Sequence, residues 1–344
     1  MRILHVLASN SFSGAENVVC QIVEMFKGEH DYEMAYCSPN GSISKVLENL
    51  DIKYFPLKSL CIKELRRVIK TYNPNIVHAH DFRASIISTQ CTKNKIISHL
   101  HNNSPWLKKH GLKSFLFNIT CKKYSRILTV SNSVFDEFVY GYKHKNKVFV
   151  LGNPINTKKI KEKADEKDIN EIFDIGFCGR ITPQKNLYLF LDIVKNISEK
   201  IPSIKVAVIG DGELKDKFID EIKVRGLDNI ITMFGFQCNP YPIIKNFKLL
   251  LMPSLWEGFG LVAVEALTLG VPVVCSGVGG LKDIVTDECG KKCACIDDYI
   301  KEIVELLTDN DYLKQKRCSA IVRSKELDNI IEYSKSLKDI YYLI

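Results

Sequence analysis

Leu249-Leu250-Leu251-Met252-Pro253-Ser254-Leu255-Trp256-Glu257-Gly258-Phe259-Gly260-Leu261-Val262-Ala263-Val264-Glu265-Ala266 is the stretch that decides the fold. The unbroken apolar run Leu249–Met252 has the length and composition of a strand buried on both faces. Pro253 cannot continue it, Gly258 and Gly260 open a loop, and a helix is expected over Leu261–Leu269. Gly270-Val271-Pro272-Val273-Val274 then leads into a second apolar run, Pro272–Cys275. Strand, loop, helix and strand in that order imply a parallel sheet covered on both faces.

Working outward, the same alternation fills the chain. In the first half, strands are expected at Ile3–Ala8, Glu33–Cys37, Lys53–Leu57, Ile76–His80, Lys95–Leu100, Ile127–Val130 and Lys147–Leu151. Helical spacing lies between most of them, as in Ala15–Lys27, Lys63–Thr71 and Val134–Tyr140. After the charged segment Asn156–Asn170, which reads as a surface connection, strands recur at Ile172–Cys178, Lys205–Ile209 and Ile230–Phe234. Helices are expected at Leu187–Lys200, Glu213–Arg225 and Tyr299–Thr308. The expectation is α/β: two Rossmann-like parallel-sheet domains facing across a cleft, over residues 1–160 and 161–325, with 326–344 a C-terminal helix. Asn329–Ile344 has Ile330, Tyr333, Leu337, Ile340 and Tyr341 on one stripe.

Composition narrows the class. The chain has 344 residues, 46% of them apolar and 26% charged, as in ordinary globular proteins. No apolar run reaches the ~18 residues of a membrane-spanning helix, and residues 1–7 are too short for a signal-peptide core. A cytoplasmic protein is expected. The net charge of +8 suits phosphorylated small molecules or an anionic membrane surface. Nucleic acid is a poor fit, because the basic residues are dispersed and no finger, recognition helix or RNA platform is visible. Many of the twelve cysteines fall inside apolar runs and read as reduced core residues. Cys289, Cys293 and Cys295 cluster without a fourth ligand at finger-like spacing.

Four loops carry the chemistry. In the opening stretch, glycines let backbone N–H groups approach a ligand, and the helix start at Leu261 suits a phosphate. Glu257 and Glu265 can accept hydrogen bonds from hydroxyls of one elongated ligand. Cys178-Gly179-Arg180-Ile181-Thr182-Pro183-Gln184-Lys185-Asn186 places two cations in one loop, where Arg180 and Lys185 can clamp a diphosphate. Gly210-Asp211-Gly212-Glu213-Leu214 follows another strand and resembles half of a dinucleotide fingerprint. Ser13-Gly14-Ala15-Glu16 repeats the strand-turn-helix design in the first half, with Gly14 opening the helix and bringing backbone amides suited to binding a phosphate of the same ligand. His78/His80 and His99/His101 form two His-x-His pairs, each sharing one strand face. Spacing alone does not bring them together as metal ligands, and a buried, satisfied histidine is the default reading. His101, followed by Asn102-Asn103-Ser104, lies at a strand end where substrate contact is favoured.

Together these motifs resemble the retaining nucleotide-sugar glycosyltransferases of family 4. Glu257-Gly258-Phe259-Gly260 with Glu265 is similar to that family's paired-glutamate signature. Gly179-Arg180, Lys185-Asn186, Gly210–Leu214 and Gly279-Gly280 match its other stations in order, and Ser13–Glu16, His78-Ala79-His80 and Asn153-Pro154 resemble its looser N-terminal marks. The resemblance implies the GT-B fold, with a first domain for the acceptor and a second for the nucleotide-sugar donor, and a last helix that crosses back onto the first domain. It implies that Arg180 and Lys185 bind the diphosphate, that Glu265 bonds the ribose, and that Glu257 with the Gly258, Phe259, Gly260 and Leu261 turn holds the transferred sugar. It also implies that His101 lies beside the reacting centre. One departure is Ser13 before Gly14, where the family often has Gly-Gly. No cofactor or metal is expected, since no metal-type Asp-x-Asp motif is read. UDP is the favoured nucleotide.

The acceptor side is marked by Pro105-Trp106-Leu107-Lys108-Lys109-His110-Gly111-Leu112-Lys113-Ser114-Phe115-Leu116-Phe117, with Lys122 and Lys123 beyond. Aromatics mixed with lysines suit either an interfacial helix on anionic lipid or a core-facing helix with a basic outer face. The first reading implies a lipid-linked saccharide acceptor and a peripheral position on the inner face of the cell membrane. Two rivals share the architecture: a non-hydrolysing nucleotide-sugar epimerase and a non-catalytic nucleotide-sugar-binding module.

Overall fold

The computed structural model describes residues 1–344, which divide into two compact units. The first is Met1–Pro154 together with Asn329–Ile344, and the second is Ile155–Asp328.

The first unit holds seven strands: β1 (Arg2–Val6), β2 (Glu33–Pro39), β3 (Tyr54–Leu57), β4 (Ile76–Ala79), β5 (Lys95–Leu100), β6 (Arg126–Thr129) and β7 (Val148–Val150). They pair in the order β3-β2-β1-β4-β5-β6-β7, all parallel. The second unit has β8 (Phe173–Cys178), β9 (Val206–Ile209), β10 (Ile231–Gly235), β11 (Phe247–Met252), β12 (Val273–Ser276) and β13 (Gly290–Cys293). Their order is β10-β9-β8-β11-β12-β13, again all parallel. In each sheet the order reverses once, between β1 and β4 and between β8 and β11. A doubly wound sheet binds ligands beyond the carboxyl ends of its strands at that reversal.

The two-sided burial read from Leu249–Met252 is present: β9 and the last four residues of β11 are buried throughout. One core packs Phe177, Phe190, Val208 and Leu251 on one face of the second sheet. Another packs Phe173, Leu250, Val264 and Cys275 on the other.

Several local expectations are corrected. Asn156–Asn170 is not a free surface connection. The helix Thr157–Ala164 belongs to the second unit and buries Ile160 and Ala164. Asn156 caps it by accepting from Lys159 N, and Asp328 accepts from Thr157 N at 3.0 Å. The chain therefore divides after Pro154 and again after Asp328. The Val134–Tyr140 helix is only Asn132–Asp136, because Val139 N turns away to bond Leu107 O at 3.0 Å. Strand β13 was not foreseen, since Gly290-Lys291-Lys292-Cys293 shows no alternation; it is an edge strand held along its length by β12. The longest helix, Asn310–Leu327, was also missed. Its buried residues are Lys316, Ala320 and Ser324, a face without an apolar signal.

Helix Ile330–Tyr342 is part of the first unit. Tyr341 meets Phe26 edge-on, and Lys338 pairs with Glu29 at 2.7 Å.

Candidate active site

In the second unit the loops following β8 and β11 flank the sheet's reversal and are tied together. Leu255 N donates to Gln184 O at 2.8 Å, and Gln184 Nε2 donates to Trp256 O at 2.9 Å. These bonds bring Lys185 onto Glu257, with Nζ 2.5 Å from Oε1 and side-chain exposures of only 13% and 8%. Ser254 Oγ donates to the same oxygen at 2.9 Å. The loops following β9 and β12 close against this pair, and only glycine permits it. A Cβ on Gly210 would stand 1.9 Å from Gly179 O, and one on Gly279 would stand 1.6 Å from Glu257 O. Gly279 also has φ +54°, a region that L side chains rarely adopt. Arg180, in the loop that carries Lys185, is exposed. It has no hydrogen-bond or ion-pair partner within the chain.

The helix Leu261–Thr268 starts at Gly260 with no acidic residue in its first turn. Its first intrahelical bonds run from Ala263 N and Val264 N to Gly260 O, so the amides of Leu261 and Val262 have no intrahelical acceptor. They supply the positive end that suits an anion. Glu265, further along this helix, is buried. Tyr241 Oη donates to its Oε1 at 3.0 Å. Burial pushes the Glu265 carboxyl up to about 7, against the opposing pull of the Tyr241 hydrogen bond and the Lys163 charge. Ser254 and Tyr241 were not singled out from the sequence. Tyr241 lies 24 residues from its partner on a four-residue helix, and no local pattern marks it.

In the first unit, Gly14 opens the helix Gly14–Met25, and Ser13 precedes it in extended conformation. The buried Glu16 carboxylate stands in the first turn and accepts from Ser13 Oγ. An acidic side chain already stands at this helix start, so the Leu261 helix, which has none, is the better seat for an anion. Asp81 closes the turn after β4, accepting from Ala8 N at 2.7 Å and Ala84 N at 2.8 Å.

The two His-x-His pairs converge, and His5 of β1 joins them. His5 Nδ1 is 2.9 Å from His80 Nε2, His78 Nε2 is 3.2 Å from His99 Nδ1, and His80 Nδ1 is 3.0 Å from His101 Nε2. Tyr341 Oη bonds His78 Nδ1 at 2.8 Å. Burial holds His5 and His101 down to about 3 and the other three well below the ordinary imidazole value. All five are neutral at pH 7. The signal for His5 was a single imidazole inside the apolar run Ile3–Ala8.

The cysteine cluster gathers no candidate ligand set: Cys289 and Cys293 are buried, and Cys295 is exposed at a helix start. All twelve cysteines are free. The chain does contain one Asp-x-Asp, Asp309-Asn310-Asp311. There Asp309 caps a helix by accepting from Asp311 N and Tyr312 N.

Comparison with known proteins decides the family. The model of glycosyl transferases group 1 matches residues 157–336. The chain belongs to that family. The model of glycosyltransferase family 4 matches residues 12–159 of the same glycosyltransferase. An uncharacterized glycosyltransferase of Methanocaldococcus jannaschii, MJ1059, is 29% identical over 61% of this chain and 57% of its own length. The glycosyltransferase thus spans little more than half of that relative. A UDP-Gal:alpha-D-GlcNAc-diphosphoundecaprenol alpha-1,3-galactosyltransferase of Escherichia coli is 24% identical over 99% of this chain and 96% of its own. Anabaena HepE, solved in complex with UDP-glucose, superposes with a TM-score of 0.83 at 17% identity and covers all of both chains. The two all-parallel domains are those of the GT-B fold. No helix is long and apolar enough to cross a membrane.

Proposed function

We propose that this glycosyltransferase is retaining, and that it moves a hexose or N-acetylhexosamine from a UDP-sugar to a lipid-linked saccharide in surface-polysaccharide assembly. The observation that carries this reading is the contact of Lys185 and Glu257 at 2.5 Å, beside a helix start free of acidic residues. Cations and amides for a diphosphate and carboxylates for hydroxyls then belong to one set of loops. The names of the Escherichia coli galactosyltransferase and of the UDP-glucose complex of HepE support the donor class.

In this account Arg180, without an internal partner, and Lys185 take the diphosphate together with the Leu261 and Val262 amides. Glu257 accepts hydrogen bonds from the sugar's hydroxyls, and the Gly258–Leu261 turn holds the sugar's edge. Ionised Glu265 accepts from the ribose, oriented by Tyr241. As the anomeric C–O bond to phosphate breaks, negative charge grows on the diphosphate, and the fixed cations and amides stabilise it. They supply that charge without a metal. The acceptor oxygen bonds to the anomeric carbon on the departing group's face, and its proton passes to the leaving phosphate oxygen.

Membrane attachment has its own support. Helix Leu112–Cys121 buries Ser114, Phe117, Thr120 and Cys121 and turns Leu112, Phe115, Leu116 and Ile119 outward at 73%, 49%, 43% and 47% exposure. The helix thus has a core-facing side around Phe117 and a second, outward apolar stripe at helical spacing. Exposed Lys109, Lys113, Lys122 and Lys123 surround it. Apolar insertion flanked by lysines fits an anionic bilayer carrying the acceptor.

The test is acceptor-dependent UDP release from UDP-glucose, UDP-galactose and their N-acetyl forms, with a lipid diphosphate saccharide present and the product's anomeric configuration read by NMR. Release with retained configuration is expected. Inverted product removes the retaining claim, interconversion of nucleotide sugars without release identifies an epimerase, and binding without turnover identifies a binding module.

A further inference from the structure

Five imidazoles bring ten ring nitrogens into the first unit's switch point, and their pairing can be counted. The three histidine contacts and the Tyr341 bond engage seven nitrogens. The other three, His5 Nε2, His99 Nε2 and His101 Nδ1, are buried without a hydrogen-bond partner. Native proteins rarely leave such groups unmatched, and an ion is one standard explanation.

Two triads place one nitrogen from each residue within 4.8 Å of the others: His5 with His78 and His80, and His80 with His99 and His101. The proton inventory separates them. Assign His80 and His99 tautomers that donate outward, from His80 Nε2 to His5 Nδ1 and from His99 Nδ1 to His78 Nε2. The lone pairs of His80 Nδ1 and His99 Nε2 are then released. His101 keeps its Nε2 lone pair if Nδ1 carries the proton. Asn153 is the neighbouring side chain that acts on His101, and its Oδ1 is buried. Each member of the second triad thus offers a lone pair inward, and His80 and His99 have His5 and His78 as acceptors for their opposite N–H, the arrangement that orients metal-bound histidines. The first triad is sealed at 0%, 0% and 1% exposure. His101 is only half-buried, which gives the second triad an entrance.

We propose that His80, His99 and His101 bind a transition-metal cation of the zinc class, with His5, His78 and Asn153 as the outer hydrogen-bond partners. Neutral imidazole is a preferred ligand of such ions, at about 2.0–2.1 Å for zinc. The 3.0 Å between His80 Nδ1 and His101 Nε2 therefore opens only by a few tenths of an ångström, on the scale of that ligand length. Three neutral ligands leave the cation's charge uncompensated, so the fourth position takes hydroxide or another oxygen anion. All of these residues belong to the first unit, and the test reads metal, not transfer.

The experiment uses the full chain, stripped with a chelator and titrated with Zn²⁺ by calorimetry and with Co²⁺ by visible absorption. The wild type should bind one equivalent, and Co²⁺ should show the intense d–d bands of a tetrahedral centre. His99→Ala should lose those bands and weaken Zn²⁺ binding at least tenfold, and His5→Ala should weaken it about tenfold through the outer partner. Replacing the exposed His30 and His110 with Ala should change nothing. Absence of tetrahedral Co²⁺ bands in wild type overturns the proposal. So does full retention of them in His99→Ala, or their loss in the His30/His110 variant. Circular dichroism on each variant shows whether a loss reflects the site or unfolding.

Discussion

Lys185→Met removes the ammonium that meets Glu257 and leaves that carboxylate, 8% exposed, with Ser254 as its remaining hydrogen-bond donor. Breaking one side of a buried ion pair costs about 3–5 kcal/mol. The pair lies at a loop surface with Lys185 13% exposed, so the lower end, about 3 kcal/mol, is the expected loss. Adding Glu257→Gln removes the stranded charge and keeps an acceptor for Ser254. The double variant should recover most of the loss, giving a coupling energy of about 2 kcal/mol. The chain has two units, so a single global unfolding curve would mix their transitions. Its two tryptophans, Trp106 and Trp256, lie one in each unit. In a Trp106→Phe background, Trp256 fluorescence in urea therefore follows the second unit alone. If Lys185→Met is as stable as its parent, or the two changes simply add, the pair is not the coupled element described here.

Glu265 should make donor binding and stability depend on pH in opposite senses. Its carboxyl is raised from 4.5 to about 7, so burial costs nothing below 4.5. The cost grows as pH rises through that interval and levels off above 7 at about 3 kcal/mol. Wild type should therefore gain on Glu265→Gln in stability as pH falls from 8 to 5. UDP affinity should drop about tenfold per pH unit below 7 in wild type and stay flat in Glu265→Gln. Gly279→Ala should weaken UDP binding at least tenfold, since its methyl meets Glu257 O. Gly277→Ala, whose nearest contact is 3.6 Å, should bind as wild type. Phe115→Glu with Leu116→Glu should abolish flotation with anionic liposomes and leave urea stability unchanged.

The sheets were legible because a strand buried on both faces writes its burial as an apolar run. The inner strands show it, the edge strands β3, β7 and β10 keep apolar residues although partly exposed, and β13 does not, because an edge strand of two lysines needs only its neighbour's hydrogen bonds. Helix Asn310–Leu327 escaped for a related reason: it buries Lys316, Ala320 and Ser324, and Lys316 is held by the carbonyls of Asp287 and Gly290 and the Glu302 carboxylate. Such partners are set by tertiary structure and leave no periodic trace. Lys185 and Glu257 were readable as separate loop residues, but their direct contact was not, because 72 residues separate them. Tyr241 and His5 show the same limit. Each is an ordinary residue in its own segment and becomes informative only beside Glu265 or among the other imidazoles.

Calorimetric titration of the full chain with UDP, for wild type and Arg180→Ala side by side, tests the phosphate-binding loops most directly. One equivalent should bind to wild type, more weakly as salt rises. Loss of one charge-assisted hydrogen bond, about 1.5–3 kcal/mol, should weaken the variant tenfold or more. A wild type that takes up no nucleotide, or an Arg180→Ala variant with undiminished affinity, would contradict the assignment of these loops to the donor's diphosphate.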